Sequence, residues 1–89
     1  MNPERKFGPR MRRLIALCAA RVAIPPGGGF AEGMAALSSK EAIMETTRKG
    51  IELADAAITA MRAAAGNPYG DDEEVLAGVI LDKAEKGRT

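Results

Sequence analysis

The chain has 89 residues, with 13 Lys+Arg against 12 Asp+Glu, one cysteine, and neither histidine nor tryptophan. At this length it is one domain; with 46% apolar and 28% charged residues it is too hydrophobic for simple disorder and too polar for a membrane span. The missing histidines exclude Ser-His and Cys-His catalysis and Cys/His zinc sites, and a lone cysteine excludes an internal disulfide, which suits a cytoplasmic location.

Residues 1–9, with Pro3, Gly8 and Pro9, read as a flexible basic arm ahead of a single helical domain over 10–89. From Arg10 to Ile24, Met11, Leu14, Ile15, Cys18 and Val22 repeat at helical spacing and define one buried face. The Arg-rich, acid-poor start has the composition of a presequence, but Arg21 ends its short apolar run, so a cytoplasmic chain is expected. Pro25-Pro26-Gly27-Gly28-Gly29 breaks the chain, and a short helical turn over 30–37 follows. Ser38 with Glu41 three residues on has capping-box spacing and opens a long helix that can run to Ala65, with a kink or break possible at Gly50. Gly66-Asn67-Pro68 stops it. The last helix opens at Asp71-Asp72-Glu73-Glu74, again with cap-to-Glu spacing of three, and its buried stripe reads Leu76, Val79, Ile80 and the stem of Lys83.

The fold class is therefore all-α: three to four helices in a small bundle around a long central helix. Alanine is abundant and only Phe7, Phe30 and Tyr69 are aromatic, so each helix face buries little area. Such a thin interior is expected to gain stability by association, and a homo-oligomer is expected. Met44, Ile51, Ala54, Ile58 and Met61 alternate steps of three and four and form the candidate self-association seam. Charge is split as well: residues 1–24 carry a net +5 and the remainder a net −4, so basic and acidic helices can complement each other within or between subunits.

Glu41, Glu45, Glu52 and Asp55 share one sector of the central helix, about 80° wide at ~100° per residue. Clustered carboxylates suit Mg²⁺, which polarises phosphoryl oxygens and activates water without histidine. Arg48 lies in the same sector, so a salt-bridged solvent face explains the same residues. Glu52-Leu53-Ala54-Asp55 resembles the E-x-x-D helix of the MazG-like all-α nucleoside triphosphate pyrophosphohydrolases, and Ile80–Thr89 is similar to that family's closing helix and basic tail. The resemblance covers residues 50–89. It implies a Mg²⁺-dependent, all-helical oligomer cleaving nucleotides to monophosphate and pyrophosphate, with Glu52 and Asp55 as ligands. Glu41 and Glu45 are spaced E-x-x-x-E, where that family carries E-x-x-E on a separate antiparallel helix.

Arg5, Lys6, Arg10, Arg12 and Arg13 are candidates for phosphate or nucleic-acid contact, though no aromatics interleave them for base stacking. Cys18 lies on the apolar face, where packing explains it better than nucleophilic chemistry. Taken together, the residues point to a non-catalytic helical interaction module, needing no cofactor. It self-associates and binds a macromolecular partner, or a phosphorylated ligand or nucleotide at a subunit interface. The Mg²⁺-dependent pyrophosphohydrolase and a nucleic-acid binder acting through the basic arm are the alternatives; no membrane partner is expected.

Overall fold

The computed structural model describes residues 6–24, 27 and 29–87. Four helices are present: α1 (Pro9–Ala23), α2 (Phe30–Ala36), α3 (Lys40–Ala63) and α4 (Glu73–Lys86). Among the described residues there is no strand, and no helix is long and apolar enough to cross a membrane. The molecule is 20 Å across its thinnest dimension, about two helix diameters.

One core joins α1, α3 and α4. Met11, Leu14 and Ile15 of α1 meet Ala54 and Ile58 of α3 and Leu76 and Ala77 of α4, with Cys18, Ile51, Met61, Ile80 and Leu81 packed around them. The large side chains buried completely are Met11, Leu14, Ile58 and Leu76, each worth about 1.5–3 kcal/mol when removed from water. The α1 face follows the predicted spacing. On α4 the stripe is rotated: Ala77 and Leu81 join Leu76 and Ile80 in the core, whereas Lys83 is exposed.

Two small residues set how closely α3 approaches α1. No break occurs at Gly50: α3 runs continuously over 24 residues and Gly50 is buried within it. A Cβ on Gly50 would lie 2.9 Å from both the Ile15 carbonyl oxygen and the Ala19 Cβ. The glycine is therefore the point where the two helix backbones meet. Together with Thr46, it places the buried row of α3 at steps of four residues, Thr46, Gly50, Ala54 and Ile58. A pattern read from hydrophobicity alone misses this row, because at a helix crossing small size decides which residue fits.

The helix starts differ from their expected positions by one residue each. Ser39, not Ser38, caps α3, its Oγ accepting the Ala42 amide at 3.0 Å; Ser38 instead donates to the Ala35 carbonyl and closes α2. Asp72, not Asp71, caps α4 by accepting the amides of Glu74 and Val75. α3 ends at Ala63 rather than Ala65, and Gly66 then takes the left-handed conformation expected of it, at φ 72°. Asn67 ties the connecting loop, accepting from the Tyr69 amide and donating to the Gly70 carbonyl, while Arg62 Nε donates to the Asp71 carbonyl.

Phe7 packs against the core, Gly8 is the N-cap of α1 and Pro9 is its first helical residue, one position ahead of the expected start. Pro9 suits that position because its fixed φ is helical and its missing amide has no partner there anyway. Gly8 has no side chain to cap with, and the first turn of α1 contains no acid. The carboxylate of Glu74 supplies both functions from α4, accepting the amides of Arg10 at 3.1 Å and Met11 at 2.8 Å.

Candidate functional site

Three features carry the candidate functional residues: the acidic face of α3, the basic face of α1 and the apolar residues at the junction of α2 and α3. On α3 the carboxylates converge on an arginine. Arg48 lies one turn from both Glu45 and Glu52; its Nε donates to Glu45 Oε2 at 3.0 Å, its Nη2 donates to the other Glu45 oxygen, and its Nη1 donates to Glu52 Oε1. The hydrogen bond from Arg48 is the main cause that holds the Glu45 carboxyl below the usual glutamate range. The same bond pushes the Arg48 guanidinium further up. Glu41 is exposed one turn before Glu45 and Asp55 is half-buried one turn after Glu52.

Glu41, Glu45, Glu52 and Asp55, considered for Mg²⁺, do not gather around one point in this arrangement. Two of the four carboxylates already neutralise a guanidinium, and among the described residues no three potential ligands come together around one point.

Arg10, Arg12 and Arg13 lie on α1, and Lys6 lies ahead of it. Lys6, Arg10, Arg12 and Arg13 are exposed; Arg5 lies outside the described residues. Arg13 reaches Glu85 of α4 at 3.7 Å, and the Arg10 side chain crosses Gly78, whose missing side chain leaves room for it. Arg13 with Glu85 is an exposed ion pair between the basic first helix and α4. Cys18 is partly buried beside the core, and burial raises its thiol pKa, so the neutral packing form is favoured.

The candidate self-association seam divides in two. Ala54 and Ile58 are sealed in the chain's own core, and Ile51 and Met61 are partly buried against it. Met44 is the exception, at 58% exposure. It has company that the seam did not include: Met34 and Leu37 from α2 and its end are 56% and 54% exposed, and Ile43 is 46% exposed. These residues lie where α2 hands over to α3, ahead of the stretch covered by α1 and α4. In the sequence these are four large apolar residues within eleven positions. A surface hollow of about 400 Å³ opens here, lined by Glu41, Ile43, Met44, Glu45, Thr47 and Arg48.

No family model, curated protein or solved structure matches this chain.

Proposed function

We propose that this protein is a small helical interaction module that works by self-association, presenting the α2–α3 junction as its contact surface. The observation that carries this reading is the exposed group Met34, Leu37, Ile43 and Met44, in a molecule that buries so few large side chains of its own. Removing apolar surface from water is worth roughly 25 cal/mol per Å², and these four side chains offer such surface on adjoining stretches of chain. A macromolecular partner, or a phosphorylated ligand at the subunit interface, would act on the assembled form.

The pyrophosphohydrolase reading needs carboxylates free to meet an ion. The engagement of Glu45 and Glu52 by Arg48 is why the interaction module is preferred here.

Sedimentation equilibrium across the micromolar range tests the proposal. The wild-type chain should associate reversibly, and Met44→Glu, at an exposed position outside the core, should be monomeric with unchanged helical circular dichroism. A wild-type chain that stays monomeric throughout would overturn it.

A further inference from the structure

We infer that the groove between α1 and α4 binds an acidic amphipathic helix of a partner protein, its carboxylates meeting Arg13 and Arg21 and an apolar side chain seating between them. This gives the macromolecular partner of the reading above a chemistry, on a face that shares no residue with the α2–α3 junction.

Arg13, Leu17 and Arg21 follow one another at steps of four along α1. At 100° per residue they form one row about 80° wide, and Arg10 falls inside the same sector. The two arginines stand about 12 Å apart along the helix, at 1.5 Å per residue, with the leucine midway. α4 lies alongside: Arg10 crosses Gly78 and Arg13 approaches Glu85, so the two helices run in the same sense. A hollow of about 340 Å³ opens on this seam, with Leu17, Leu81 and Ala84 among its apolar lining and Arg13, Arg21 and Glu85 as its charged groups. A groove between two adjacent helices accepts the apolar ridge of a third.

The charges on this seam select an acidic occupant. α1 carries four arginines and no acid. Arg21 is exposed and has no ion pair with any other described residue. Arg13 stands 3.7 Å from Glu85 with both side chains largely in solvent. That separation is too long for a hydrogen bond, so the pair is weak and the donors of Arg13 remain available. Asp82 is answered by Lys86 at 3.2 Å, and the Glu74 carboxylate by the amides of Arg10 and Met11. The seam keeps a positive excess, with Arg10, Arg13, Arg21 and Lys86 against Glu74, Asp82 and Glu85. The apolar lining distinguishes a helix from other polyanions. A nucleic-acid backbone has no apolar group to place over Leu17 and Leu81, and a single phosphate cannot span two arginines two turns apart.

Fluorescence anisotropy with a defined peptide tests the assignment. The probe is a fluorescein-labelled, alanine-based helix with a glutamate four residues before and four after each leucine. It should bind the full chain, and the same peptide with lysine in place of glutamate should not. Arg21→Glu should weaken binding by on the order of tenfold, whereas Arg12→Glu, on α1 but outside the row, should leave it near the wild-type value. Circular dichroism establishes that both variants are folded. Replacing the peptide's leucines with serine should also weaken binding, and this comparison uses the unaltered chain. Absent binding, equal binding of the lysine peptide, equal losses at Arg12 and Arg21, or no effect of the serine change would each overturn the proposal. So would displacement of the peptide by a lower concentration of duplex oligonucleotide, or loss of self-association in Arg21→Glu, which would make a second copy the occupant. A wild-type chain that binds the peptide yet sediments as a monomer would remove the self-association reading alone.

Discussion

Glu74 and Met11, 63 positions apart in sequence, are joined by a 2.8 Å hydrogen bond from the Met11 amide to the Glu74 carboxylate. The bond makes the start of α4 the cap for the start of α1. Glu74 stands at the position from which the glutamate of a capping box would close its own helix, but Asp72 has taken over that helix start. The carboxylate is turned outward to α1, whose N-cap is a glycine.

Removing the cap should cost measurable stability. Glu74→Ala is expected to destabilise the fold by about 1–2 kcal/mol in urea unfolding, since two amides lose a charged acceptor. Gly8→Ala should cost a similar amount by the same route, because the new Cβ would lie 2.2 Å from the Glu74 carboxyl carbon and dislodge it. In a Glu74→Ala background, Gly8→Ala should be nearly neutral. Additive losses would show that the glycine matters for some other reason.

Glycine-to-alanine changes at two helix positions should differ in sign. In a free helix the change gains about 1 kcal/mol. At Gly50 it drives a methyl group into the Ile15 carbonyl and Ala19, so the helices must separate and a net loss of about 1–2 kcal/mol is expected. At Gly78 the nearest atom is Cδ of the flexible Arg10 side chain at 3.0 Å, and the change should be neutral or mildly stabilising. Thermal unfolding of the two variants side by side checks the contrast.

The Arg48 ladder predicts a pH response. The Glu45 carboxyl is held low by the arginine, so its contribution to folding is complete above about pH 4.3, the ordinary glutamate value. It is lost as pH falls through the lower value of the folded state. In Arg48→Gln the Glu45 midpoint, followed by carboxyl NMR, should rise toward the ordinary value. Because the pair is exposed, the helix itself should persist.

Cys18 should behave as a packing residue. With its thiol pKa raised by burial, its reaction with a small disulfide reagent should be slower than that of free cysteine. The rate should climb only above about pH 8.5, the unperturbed cysteine value, and unfolding in urea should abolish the difference. Rapid reaction of the folded chain at neutral pH would contradict the assignment.

Local rules made much of the architecture readable from the residues. The apolar face of α1, the long α3, the stop at Gly66 and the acidic start of α4 depend on spacing, capping chemistry and backbone freedom within a few positions. The exact caps did not follow from these rules, because Ser38 and Ser39, and likewise Asp71 and Asp72, are chemically equivalent neighbours. Which of each pair faces the helix amides is settled by how the preceding segment arrives. The carboxylate face illustrates the same limit, since only side-chain distances show that Glu45 and Glu52 bond Arg48.

By itself the sequence determined that this chain is helical, where its helices break and that its interior is thin. Only the tertiary structure decided that Gly50 is a crossing point rather than a hinge, that Glu74 serves another helix, and that Ala54 and Ile58 face inward while Met44 faces solvent. The physical reason is that helix formation is governed by neighbours one turn apart, whereas burial depends on which distant helix comes to lie alongside. That choice follows from the size and shape of residues far apart in the chain.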